Sequence, residues 1–157
     1  MGAVFRWLGT AFGFVVALGV VFGFLMEAGV VPSDRVLRGA QIPPDQFEIL
    51  KTEGIIEEDE VVEYFYSEGL LSVKEGGSLL TNKRVIAYEE NFEDGVDIYE
   101  ISTDQIASVK MIQEGDTLNF AIYTVNGENE NEWLDLWLPH EYGDAEAFAG
   151  AVRSKIP

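Results

Sequence analysis

The side chains able to do chemistry are sparse, and their spacing rules out most of what they could do. One histidine, His140, sits between Pro139 and Glu141, and there is no cysteine. Thiol nucleophiles, disulfides and thiolate metal sites are therefore absent from the sequence. Two carboxylate runs, Glu57-Glu58-Asp59-Glu60 and Glu89-Glu90-Asn91-Phe92-Glu93-Asp94, offer oxygen ligands for a hard cation. Neither has the alternating spacing and central glycine of a calcium loop, so both read as solvated acidic turns. A catalytic reading needs a nucleophile, a base and a group that stabilises developing charge, and no such set assembles. We expect no enzyme activity, no cofactor and no metal.

Two other groupings point to binding. Trp133 and Trp137 flank Asp135 in the alternating run Trp133-Leu134-Asp135-Leu136-Trp137-Leu138. At strand period Leu134, Leu136 and Leu138 share the core face, which turns both tryptophans outward. Tyr123 and Ala121, across the preceding hairpin, are expected beside them, while Leu118, Phe120 and Ile122 face the core. Exposed aromatics of this kind often mark interfaces; the alternative is that the short helix after the stalk or the C-terminal helix covers them. The second grouping is Lys83 and Arg84, with Lys74, the one basic cluster in a β-rich region otherwise dominated by acids.

The chain of 157 residues carries 10 Lys and Arg against 28 Asp and Glu, a formal net charge of -18. A field of that sign repels nucleic acid and bare anionic lipid, so nucleic acid is excluded as a partner.

Between Arg6 and Glu27 lies an uncharged, apolar stretch of about 20 residues, roughly 30 Å of helix, the thickness of a bilayer core. Trp7 stands at one end, where an interfacial aromatic is favoured. The region is too long and ends too bulkily, at Phe24-Leu25-Met26, for a cleaved signal peptide, whose cleavage would leave a secreted acidic β domain as the alternative. Residues 1–31 are thus expected to form a single-pass anchor. Gly9, Gly13 and Ala17, at four-residue spacing, supply a small-residue face through which two such helices could pack into a homo-oligomer.

Residues 32–44, bracketed by Pro32 and Pro43-Pro44, read as a stalk of about 13 residues with an extended reach of at most roughly 45 Å. The domain proper is expected over 45–157. A short helix from Pro44 to Glu53 ends at Gly54. The period then changes to two, giving strands over Val61–Tyr66, Leu70–Val73, Leu79–Thr81, Arg84–Tyr88, Asp97–Ile101, Ala107–Ile112, Leu118–Thr124 and Glu132–Leu138. The second and third of these are either two strands or one interrupted at Gly76-Gly77. A helix from Asp144, as N-cap, to Lys155 carries the stripe Ala145, Phe148, Ala149, Val152 and Ile156.

Seven or so antiparallel strands followed by one amphipathic helix is the element order of the pleckstrin-homology (PH) barrel. Gly77-Ser78-Leu79-Leu80-Thr81-Asn82-Lys83-Arg84-Val85 resembles the G-x-L-x-x-T-N-x-R hairpin of bacterial PH and GRAM-like domains. Ile101-Ser102-Thr103-Asp104-Gln105-Ile106-Ala107-Ser108-Val109 is similar to that family's I-P-L-x-x-I-x-x-V turn, departing from it at Ser102 and Thr103. The resemblance spans roughly residues 55–157. It implies a mainly β, partly open barrel capped by a C-terminal helix, serving as a scaffold whose ligands range from lipid headgroups to peptides. Bacterial members are often fused to membrane helices, which implies a membrane protein with its domain on the cytoplasmic side. Phosphoinositide-binding relatives place basic residues between the first two strands. Here that turn is Ser67-Glu68-Gly69, so the expectation is a protein or peptide partner at the membrane surface, with lipid-headgroup sensing as the alternative.

Overall fold

In the computed structural model, residues 31–157 are described except for 92, 94, 114–119 and 130. The expected anchor, with Trp7 and the Gly9, Gly13, Ala17 face, lies outside the described residues, as does Leu118. Among the described residues no helix is long and apolar enough to cross a membrane.

Helix α1, Pro44–Thr52, begins with proline in its first turn, where the missing N–H costs nothing. It stops at Gly54, whose φ of 73° is open to glycine and strained for other residues. The Gly54 amide donates to the Lys51 carbonyl (3.0 Å) and the Ile55 amide to the Leu50 carbonyl (2.9 Å), the two bonds of a Schellman cap. Leu50 and Ile55 are both fully buried, completing the apolar contact that accompanies this cap.

Strands β1 (Leu37–Arg38), β2 (Val62–Ser67), β3 (Gly76–Thr81), β4 (Arg84–Asn91) and β5 (Gly95–Ser102) form one antiparallel sheet in sequence order. Strands β6 (Ile106–Gln113), β7 (Phe120–Gly127) and β8 (Trp133–Pro139) form a second. Among the described residues no strand pairs across the two sheets, so the expected partly open barrel is two packed sheets and not a closed one.

The five-stranded sheet is covered on both faces. Tyr66, Leu80, Val85 and Ile101 pack with β6 to β8 and with helix α2, Asp144–Arg153. Phe65, Leu79, Ile86 and Tyr88 pack with Leu50 and Ile55 around α1. Two covered faces explain why Leu79-Leu80 and Val85-Ile86 are apolar at successive positions, where a half-exposed strand would alternate. Helix α2 buries Ala145, Phe148, Ala149 and Val152 completely, and the Phe148 ring lies 5.7 Å from that of Tyr64.

Four expectations need correction. Leu70–Val73 is not a strand: the Glu75 carboxylate accepts the amides of Leu70 (2.9 Å), Leu71 (3.1 Å) and Ser72 (2.8 Å), satisfying locally the groups a ladder would need. Strand β3 therefore begins at Gly76 and runs unbroken. The segment 32–44 does not stand clear as a stalk. Leu37 and Arg38 pair with Phe65 and Tyr64, a 3-10 turn follows at Gly39–Gln41, and Ile42 is buried beneath α1. The N-cap of α2 is Gly143, at φ 71°, and Asp144 occupies the first helical position, where it pairs with Arg35 at 3.1 Å.

The fourth correction concerns β7. Ala121, Tyr123 and Val125 lie directly across from Leu138, Leu136 and Leu134, and antiparallel partners share a face. They form the inward set, with exposures of 0 %, 2 % and 0 %. Phe120 and Ile122 belong to the opposite face. Both alternating sets of this strand are apolar, so its own pattern could not choose between them; the register with β8 does.

Candidate functional site

The charged residues that stood out in the sequence are the ones the fold consumes. In the turn between β3 and β4 the Thr81 hydroxyl accepts the amides of Lys83 and Arg84, both at 3.1 Å, and donates to Glu60 at 2.9 Å. Asn82 exchanges bonds with Val61: its side-chain oxygen accepts the Val61 amide at 2.8 Å, and its own amide donates to the Val61 carbonyl at 3.0 Å. Arg84 places Nε and Nη2 on the two oxygens of Glu60, at 2.9 and 2.8 Å, and also pairs with Glu100. The Glu60 side chain is fully buried. Burial opposes its ionisation, but hydrogen bonds from Arg84, the Glu57 amide and Thr81, with the charge of Arg84, outweigh that and hold its pKa at about 2. Lys83 lies between Glu57 (2.8 Å) and Asp59 (2.7 Å), and Lys74 meets Glu53 at 3.2 Å. The T-N-x-R segment is thus an internal latch, and its cations face carboxylates of the same chain.

A different cluster stays open. The outer face of β8 carries Trp133 and Trp137, 61 % and 43 % exposed, with Asp135 between them. Facing them is the end of the five-stranded sheet. Ala87 pairs with Tyr99, which is 51 % exposed, and Glu89 lies two positions further along the same face of β4. Glu68, at the end of β2, closes the side, and the whole forms a groove of about 350 Å³. The floor is low because Ala87 is small; Gly77 borders it through its backbone, and a Cβ there would lie on the far side, 2.4 Å from the Tyr66 carbonyl oxygen and 2.9 Å from the Tyr88 hydroxyl. Tyr88, on the opposite face, is fixed through its hydroxyl to the Val73 carbonyl.

Three carboxylates meet in this groove, and their bonds come from neutral groups. Thr124 donates to Asp135 at 2.5 Å and Tyr99 to Glu89 at 3.4 Å. Although Glu68 as a residue remains exposed, burial of its carboxyl among the groove walls and, second, the charge of Glu89 raise its pKa from 4.5 to about 7. The charge of Glu89 likewise raises the pKa of Tyr99. None of the lining residues is cationic.

Of the residues singled out from sequence, the fold brings Trp133 and Trp137 together at the groove. Tyr123 does not join them. It is buried across from Leu136, with the Arg153 guanidinium 5.8 Å from its ring centre. Lys83 and Arg84 lie at the latch. His140 is partly buried just after β8 and outside the groove. Sequence reasoning missed Tyr99, Glu68 and Glu89, which come from three other segments. The signal available for Tyr99 was its place two residues before the inward Ile101, a large aromatic continuing a core face beyond the core.

Among the described residues, two antiparallel sheets of five and three strands, followed by a C-terminal helix packed against the core they share, define a PH-like fold. Among solved structures, the chain is similar to a pleckstrin-homology domain protein of the DUF1696 family from Shewanella loihica. Identity is 15 %, the TM-score is 0.50, and the match covers 69 % of this chain and 91 % of that one. A pleckstrin homology domain from Shewanella amazonensis aligns at 16 % identity and a TM-score of 0.47, covering 71 % and 96 %. No family model matches the sequence, and no curated protein matches it.

Proposed function

We propose that this chain is a non-enzymatic, single-pass membrane protein whose PH-like domain docks a protein or peptide partner in the groove between β8 and the five-stranded sheet, on the cytoplasmic side. The observation that carries the reading is the cluster of exposed Trp133, Trp137 and Tyr99 around a concave floor, since large rigid aromatics in a depression are the usual anchors of recognition. The charges favour this reading over lipid-headgroup sensing. Lys74, Lys83 and Arg84 are each matched to carboxylates of the domain. The loop joining β2 to β3 presents Glu68, Leu70 and Leu71 to solvent, so an anionic headgroup arriving there meets a carboxylate. With residues 37–42 packed against the domain, the anchor leaves little slack, and the partner is sought at or close above the bilayer.

The test uses the full chain in its own membranes, with a photo-crosslinking phenylalanine analogue at Trp137 and, as control, at Glu146 on the exposed side of α2. A discrete protein adduct formed from position 137 and absent from position 146 is the expected result. Lipid adducts alone at 137 would transfer the domain to the headgroup reading, and identical adducts at both positions would remove the groove from consideration.

A further inference from the structure

The groove's chemistry specifies more than a partner; it specifies the charge of what enters. We infer that the groove is selective for a cationic side chain, an arginine or lysine on an extended partner segment, seated among Trp133, Trp137 and Tyr99 and neutralised by Glu68, Glu89 and Asp135. This rests on the groove being the docking site.

Charge complementarity carries the inference. Three carboxylates converge on a volume of about 350 Å³ with no cation in its lining. Repulsion and desolvation both disfavour such a gathering unless a positive group relieves them. Among the described residues none of the Lys or Arg side chains, Lys110 of β6 included, lines the groove. Arg35, Lys51, Lys74, Lys83, Arg84 and Lys155 are each bonded to a carboxylate elsewhere. Arg38 and Arg153 lie over the rings of Tyr64 and Tyr123, also away from the groove.

The aromatics narrow the choice further. A cation over an indole or phenol face is attracted by the ring quadrupole, and arginine stacks on such faces while its fork meets carboxylates. An anionic segment is repelled. A neutral apolar segment would cover the tryptophans but leave the carboxylates desolvated without compensation, which selects against it. The volume is in the lower part of the range for small-ligand sites, suited to one long side chain and its flanking backbone.

The experiment titrates the full chain, in detergent, with three Gly/Ser nonapeptides identical except for a central arginine, citrulline or glutamate, read by calorimetry and tryptophan fluorescence. The arginine peptide is expected to bind about tenfold tighter than the citrulline peptide, with the glutamate peptide weakest. The variant E68Q/E89Q should erase the arginine preference, whereas E48Q/E146Q, which removes the same charge from exposed helix positions, should keep it. Equal binding of arginine and citrulline, or equal loss in both double variants, overturns the cation selectivity. W133S/W137S separates that failure from failure of the docking reading. If it abolishes peptide binding that shows no charge preference, the groove remains the docking site and only the selectivity falls. If it leaves peptide binding unchanged, both fall.

Discussion

Two of the places where the described residues gather carboxylates treat charge in opposite ways. At the turn between β3 and β4, Glu57, Asp59, Glu60 and Glu100 surround Lys83 and Arg84, and the negative charges there have positive counterparts. In the groove Glu68, Glu89 and Asp135 meet only hydroxyls and rings. The latch resembles a family motif and looks, in one dimension, like a basic binding site; in three dimensions it is architecture. The groove has no motif and combines residues from β4, β5, β8 and the end of β2. A conspicuous charge in a sequence therefore says little until its partners are known.

The sharpest way to break that contrast is Arg84→Met. It leaves Glu60 buried with only the Thr81 hydroxyl and the Glu57 amide, and removal of one member of a buried pair typically costs about 3–5 kcal/mol. A loss of that size in the urea-unfolding free energy is expected, with part of it recovered in the double variant E60Q/R84M. A loss below about 1 kcal/mol would show that the latch is a surface pair after all.

Acid and base should separate the two regions with opposite signs. The folded pKa of Glu60, about 2, lies below its ordinary 4.5, so its contribution is present above pH 4.5 and is lost as pH falls towards 2. With allowance for solvent screening on the Glu100 side, the loss is about 2 kcal/mol. The folded pKa of Glu68, about 7, lies above 4.5, so the fold favours its protonated form. That contribution is complete below pH 4.5 and disappears as pH rises to about 7. Unfolding midpoints measured from pH 2 to 8 should rise and then fall. Glu68→Gln should flatten the upper limb alone, and an unchanged upper limb would mean that Glu68 is not held in the groove. Tyr66, Tyr88 and Glu89 are the titratable groups that couple to Glu68, and both tyrosines stay neutral through this window.

What was legible in the sequence follows the same division. Alternation located β2 to β8 to within a few residues but not the two-residue β1, and the stripe of Ala145, Phe148, Ala149 and Val152 marked the buried side of α2, because such patterns record one element against solvent. Leu70–Val73 was misread because a single carboxylate, Glu75, replaced the ladder bonds that its apolar composition implied. The face of β7 was inverted because Phe120 and Ile122 are as apolar as Ala121 and Tyr123; the choice lies in its pairing with β8. Half of the groove was visible as Trp133 and Trp137. The other half was hidden, since Tyr99 and Glu89 approach them only through the packing of one sheet on the other, a relation that no local period encodes.

The smallest stability effect belongs to the residues with the largest proposed role. Trp133 and Trp137 project from a strand whose fold is held by Leu134, Leu136 and Leu138 on the opposite side, at exposures of 4 %, 0 % and 0 %. Replacing both tryptophans by serine removes side chains that are 61 % and 43 % exposed, so the unfolding free energy should change by only about 1 kcal/mol per site. Tyr123→Ser, on the partner strand directly across from Leu136, removes a buried ring and should cost several times as much. Parallel urea titrations of the two variants test the inverted face of β7 and the openness of the groove together. If W133S/W137S unfolds as easily as the Tyr123 variant, the tryptophans are part of the core, and the aromatic wall on which the docking reading depends is lost with them.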